Sequence, residues 1–229
     1  KNDQPYFGNA YQIIEKAGVK IAILGLTTQY IPHWEKPETL AGITFKSVVE
    51  TAKEYVPLLR KQADLVIVSY HGGFEKDLLT GEDTEAITGE NEGYELLQQV
   101  EGIDALFTGH QHRKIAETVR GVPVVQPGYR GEFIGEVRLT VEKKEDQVVV
   151  TDHQVAFSIL SRSFSPIYRA MYVGNSASFI SSSSITVNGI ARHRTAPIAI
   201  TSLGVSSAFT KVSSPMKSPT SRNCRIKLF

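Results

Sequence analysis

Three histidines stand where chemistry could be done: His71 in "SYHGG", and His110 with His112 in "TGHQHR". Neutral imidazole is a good ligand for borderline divalent cations such as Zn, Mn, Fe, Co or Ni. His71 and His110 share one layout, because each closes an apolar run that opens on an aspartate, Asp64 for one and Asp104 for the other, with glycine alongside. If residues 110–112 are extended, His110 and His112 point the same way about 6–7 Å apart. That is wide for chelating one ion, but it suits two cations lying about 3.5–4 Å apart. A lone histidine at a strand end is more often a hydrogen-bonded surface residue than a ligand, and G-H-x-H alone is only a moderate signal. The weight comes from two such segments, each following an apolar strand. His33 in "IPHWEKP" reads as a surface residue beside Trp34, and His153 in "TDHQ" as an exposed position on a late strand. His193 lies in a stretch of unusual composition. Glu75, four residues after His71, reads as a solvated loop carboxylate rather than a support for the site.

The elements that must position these residues are legible from periodicity. "VKIAILGLTT", 19–28, is a buried strand by its length and β-branched content. From Phe45 to about Gln62 the apolar residues recur at helical spacing, with Pro57 expected to kink or shorten the helix. "ADLVIVSYHGG" is a second apolar strand, 74–90 a polar loop, 91–100 a short helix, and "IDALFTGHQH" a third strand ending at His110. "GVPVVQPG", "FIGEVRLTVE" and "QVVVTDHQVAF" then read as three strands with glycine and charged turns between them. This order, β-α-β-α-β and a run of strands, indicates an α/β layered core with an antiparallel finish. In such sheets ligands bind in the crevice outside the carboxyl ends of the strands, so His71 and His110 are expected to face one crevice.

Charge divides the 229 residues in two. Residues 1–160 hold all 24 acidic residues and 16 of the 25 basic ones, a net −8, whereas the last 69 hold nine basic and no acidic residues, a net +9. Serine rises at the same place, from three to sixteen. The cations of this second part are scattered singly rather than clustered, which argues against specific binding of a nucleic-acid polymer. A disordered linker, or sequence never selected as protein, accounts better for it. No apolar run is long enough to span a membrane. The single cysteine, Cys224, excludes an internal disulfide framework and fits a cytoplasmic or a bacterial envelope protein. The chain opens on Lys1 with no basic-then-apolar leader, so the start of the protein, with any signal peptide, is expected upstream.

"VIVSYHGGFE", "TGENEGYELLQQVEGIDALFTGHQHR" and "GVPVVQPGYRGEFIGEVRLTVE" together resemble the calcineurin-like metallophosphoesterases, in the branch of bacterial 5'-nucleotidases and 2',3'-cyclic-nucleotide phosphodiesterases. The likeness covers about residues 8–157, and H-G-G followed by G-H-x-H makes it specific. It implies a four-layer αββα sandwich with mixed sheets, here in part only, over residues 1–157, with 158–229 an irregular tail. It also implies two divalent cations, of Mn, Zn, Fe, Co or Mg. His71 and His110 would bind one and His112 the other. Such cations would polarise a phosphoryl oxygen and lower the pKa of a water attacking phosphorus in line. Some 5'-nucleotidases carry glutamine where His112 stands, so His112 leans toward the cyclic phosphodiesterases.

The departures matter as much as the match. The family's D-x-H, its G-D with the bridging aspartate, and its G-N-H-[DE] with the catalytic histidine and acid are missing from this chain. Those motifs precede the matched region, so the chain resembles the C-terminal part of a catalytic domain, and no catalytic residue is assigned within it. The resemblance implies a nucleotide or cyclic-nucleotide substrate, and a periplasmic, envelope or extracellular setting. Without a bridging carboxylate to hold two cations against their repulsion, the isolated chain is expected to be nearly inactive. The competing expectation is a non-catalytic α/β module that binds a ligand and whose histidines are structural.

Overall fold

The computed structural model describes residues 4–144, 147–159, 196–200 and 226–228. β1 (Tyr11–Lys16) and β2 (Val19–Thr27) form a hairpin. After a 3-10 turn (Ile31–His33) come α1 (Val48–Arg60), β3 (Leu65–His71), α2 (Gly93–Gln99) and β4 (Ala105–Phe107). β5 (Lys114–Val119), β6 (Val122–Pro127), β7 (Phe133–Lys144) and β8 (Gln147–Ile159) follow, with β9 (Ala196–Ile200) and β10 (Ile226–Leu228) last. The first sheet has the order β1-β2-β3-β4-β6-β5, parallel through β2, β3, β4 and β6 and antiparallel at both edges. The second is antiparallel, in the order β10-β9-β7-β8.

Alternation along β2 and β3 decides the layering, because successive strand residues face opposite sides. Ala22, Leu24, Val66 and Val68 pack with Val49, Ala52, Val56 and Leu59 of α1 and Leu96 of α2. Ile21, Leu65 and Ile67 pack instead against Val137, Leu139 and Val141 of β7. Helices, first sheet and second sheet are thus three of the four expected layers, and no helix lies outside the second sheet among the described residues. Two aspartates set the entry into the parallel strands. Asp64 accepts the amide of Lys20 at 2.7 Å, and Asp104 accepts that of Val66 at 2.7 Å, so each carboxylate ahead of one strand ties down the start of its neighbour. Arg60 closes this pole by donating to Asp104 and to the carbonyl of Gly102.

Several expectations are corrected. The helix begins at Val48 rather than Phe45 and ends at Arg60, with Pro57 inside it on the solvent side, where the carbonyl it leaves unpaired can meet water. Strand β4 stops at Phe107, so His110 is a loop residue rather than a strand end. β1 and β5 were not anticipated; they are edge strands with mixed exposure and a weak alternation of apolar residues. His153 is half-buried, with its Nε2 2.8 Å from Thr118 Oγ1. His193 and most of 158–229 lie outside the described residues; the described segments β9 and β10 pair with β7.

Leu106 is fully buried in the central strand between β3 and β6. Leu106→Ala is expected to lower the unfolding free energy by about 2–5 kcal/mol in urea titration, whereas Leu79→Ala, on an exposed loop, should change it by less than about 0.5 kcal/mol.

Candidate metal centre

The parallel register brings the carboxyl ends of β2, β3 and β4 to one crevice. Thr27 pairs with His71, and beyond the last paired residues of β3 and β4 the amide of Gly109 reaches the carbonyl of Gly72 at 3.0 Å. The loop 108–113 is held at both ends. Thr108 donates its amide to Val125 at 2.9 Å, and buried Gln126 accepts the amide of Arg113 at 2.7 Å while donating to Thr108 Oγ1 at 3.0 Å.

Between those anchors the backbone is not extended. His110 and His112 both have positive φ, 65° and 58°, a left-handed conformation that histidine adopts more readily than most residues. The extended geometry expected for the pair is therefore corrected, and their rings part company. The His110 ring turns to His71, with centroids 5.5 Å apart at 60°, while the His112 ring stacks on Tyr129. His71 and His110 thus meet, and His112 stands aside, near enough for its charge to act on His71. Burial first, then the neighbouring His110 and His112, push the pKa of His71 below the ordinary histidine value, which favours the neutral imidazole.

Other residues join the site unannounced. Glu90 Oε1 lies 2.8 Å from His110 Nε2. The Trp34 indole, 48% exposed, is tilted against His110 with centroids 5.1 Å apart. His33, exposed as expected, stacks on Tyr30 at 3.8 Å. Thr28 joins these two loops, accepting the amide of Tyr30 at 3.1 Å and donating to the carbonyl of Glu90 at 2.7 Å. Only "TGENEG", a polar run between glycines, hinted at Glu90 in the sequence. Glu75 is a correction. It is 1% exposed, and its carboxylate accepts the amides of Tyr94 at 3.0 Å and Glu95 at 2.7 Å, fastening the start of α2 to the His71 loop.

Two converging imidazoles and a carboxylate are donors of the right chemistry for a borderline divalent cation. They are not a complete shell. Among the described residues, no group of three or more His, Cys, Asp or Glu side chains is disposed to hold a metal ion. The Glu90 carboxylate occupies Nε2 of His110, so a cation there would have to share or displace it.

The fold is a layered α/β architecture with a mixed sheet and two imidazoles meeting at the carboxyl end of its parallel strands. No family model matches the chain. A crystal structure of a Staphylococcus aureus protein described as a 5'-nucleotidase, in complex with alpha-ketoglutarate, superposes with a TM-score of 0.62 and 34% identity, over 81% of this chain and 36% of that one. The 2',3'-cyclic-nucleotide 2'-phosphodiesterase/3'-nucleotidase of Salmonella typhimurium is 31% identical over 64% of this chain and 25% of its own length. The trifunctional nucleotide phosphoesterase protein YfkN of Bacillus subtilis is 29% identical over 65% of this chain and 11% of its own. The chain is thus homologous, over part of its length, to bacterial 5'-nucleotidases and 2',3'-cyclic-nucleotide phosphodiesterases, and it spans about a third or less of these relatives. No helix of the described residues is long and apolar enough to cross a membrane.

Beside the crevice, Glu92 is 6% exposed, and its Oε2 has no hydrogen-bond partner. Burial, then the nearby Glu95 carboxylate, push its pKa up to about 7, with the amide of Val48 opposing the rise. Between the ordinary value of 4.5 and about 7 the folded chain keeps a proton that the unfolded chain has released. The Glu92 contribution to stability is therefore full below that window and lost above it. Urea titrations at pH 5 and pH 8 should show the wild type losing up to about 2–3 kcal/mol more than Glu92→Gln across this range.

Proposed function

We propose that this chain is part of a metal-dependent phosphoester hydrolase acting on nucleotides or cyclic nucleotides, with His71, His110 and His112 as imidazole ligands of divalent cations. The observation that carries this reading is the meeting of the His71 and His110 rings, 5.5 Å apart, where β3 and β4 end in glycine. Homology to nucleotidases and cyclic-nucleotide phosphodiesterases supports it. Bound cations of Mn, Zn, Fe, Co or Mg would supply Lewis acidity toward a phosphoryl oxygen. The chain's own part is to present the His71 and His110 imidazoles at the carboxyl end of the parallel sheet and to hold His110 by Glu90. A bridging carboxylate is not among these residues, so the activity is assigned to the longer protein and the isolated chain is proposed to be nearly inactive. A setting outside the cytoplasm is part of the proposal, on the family likeness alone.

A second reading, a non-catalytic ligand-binding module, is favoured by one observation. His110 is already hydrogen-bonded by Glu90, as a structural histidine would be. Titration with Mn²⁺, followed by electron paramagnetic resonance, separates the two. The hydrolase reading expects weak binding by the wild type that His71→Ala and His110→Ala each weaken at least about tenfold, with negligible hydrolysis of a chromogenic phosphodiester by the chain alone. Mn²⁺ binding indifferent to both substitutions would contradict it in favour of structural histidines, and robust turnover by the chain alone would contradict the need for further residues.

A further inference from the structure

Gln111 stands between the two histidines of G-H-x-H, and its side chain leaves the crevice to do something neither histidine does. Its Oε1 accepts the amide of Phe74 at 2.9 Å, and its Nε2 donates to the carbonyl of the same residue at 2.9 Å. A side-chain amide thus pairs with the backbone of the His71 loop as a neighbouring strand would. The same Nε2 also donates to Glu85 Oε2 at 3.1 Å. The other oxygen of Glu85 accepts Asn91 Nδ2 at 2.8 Å, and Asn91 Oδ1 accepts the amide of Gly73 at 2.6 Å. One carboxylate therefore braces two amides, and those amides hold two consecutive residues, Gly73 and Phe74, two and three positions beyond His71.

The fit leaves no slack. A Cβ on Gly73 would sit 2.1 Å from Gln111 Oε1, so the second glycine of "HGG" is there to let the amide in. Gln111 is flanked by the two left-handed histidines, and its amide donates to the carbonyl of Gly109 at 2.7 Å. Any displacement of its side chain is therefore passed to His110 through a short, tightly turned backbone. The clasp and the Gly109–Gly72 hydrogen bond are two separate ties between the loops that carry His71 and His110.

We propose that Gln111, braced by Glu85 and Asn91, is a positioning residue that sets the separation of the His71 and His110 imidazoles and thereby the affinity of the pair for a divalent cation. Its effect on the ring separation stands on the hydrogen bonds alone; its effect on the cation rests on the metal-ligand reading proposed above. The hydrogen bonds of the Gln111 side chain go to Phe74 and Glu85, not to either ring. Its reach is through the backbone of Phe74 and Gly73 on one side and of His110 on the other.

The test uses the 229-residue chain with Gln111→Ala and with Gln111→Met, which fills a similar volume without the hydrogen bonds. Should both fail to fold, Glu85→Gln, which removes the charge and turns one of the two accepting oxygens into a donor facing an amide NH2, carries the same measurements. In the cation-free protein, nuclear Overhauser effects between the His71 and His110 ring protons are expected in the wild type and weakened or lost in the variants, with the spectrum elsewhere that of a folded chain. Titration with Co²⁺, read by paramagnetic shifts of the same rings, is expected to show an affinity about 10–100-fold lower in the variants, the range typical for residues behind a metal ligand. Folded variants that keep both the ring contact and the Co²⁺ affinity would overturn the proposal. If the wild type shows the ring contact but no Co²⁺ shifts at these rings, the metal reading fails instead, and the ring contact in the variants alone decides whether Gln111 positions them.

Discussion

A single backbone hydrogen bond, Gly109 N to Gly72 O at 3.0 Å, carries the pairing of β3 and β4 past the end of the regular sheet and into the two loops that bear the histidines. Because parallel strands run the same way, their carboxyl ends gather on one side, and what the loops hold there is set by how far the ladder continues. Glycine at both partners lets the two backbones come this close without side chains between them. Gln111, Asn91 and Glu85 then complete the tie with side chains where the ladder has no more backbone to offer.

The two poles of the parallel sheet are built in opposite ways. At the amino ends, Asp64 and Asp104 accept strand amides, and Arg60 compensates the half-buried Asp104, whose pKa burial raises against the pull of that guanidinium. Asp64, Asp104 and Arg60 each have a partner there. At the carboxyl ends, polar groups are held under less complete compensation: burial lowers the pKa of His71, and Glu92 carries an oxygen with no partner.

Much of this was legible in the sequence, and the misses have physical causes. The apolar runs of β2 and β3 are long, β-branched and buried on both faces, so they could be recognised without an alternating pattern. The position of His71 at the end of such a run followed directly. His110 was harder, since nothing in "FTGHQH" shows that the ladder stops at Phe107 and that both histidines adopt positive φ. The matching strand-end layouts had already set His110 toward His71; the extended reading wrongly added His112 at its side, and the turn takes His112 to Tyr129. Glu75 and Gln111 were missed for a related reason. Their roles are long-range hydrogen bonds to backbone groups, 19 to 37 positions away, and such bonds leave no periodic trace.

His71 and His110 are proposed to form one cation-accepting point above the ends of β3 and β4. The most direct measurement is anomalous diffraction from crystals of this chain soaked in millimolar Mn²⁺. An anomalous peak within coordination distance of both imidazoles, next to Glu90, is the expected result. Rings that face apart, or manganese that settles elsewhere and leaves these two imidazoles bare, would contradict it.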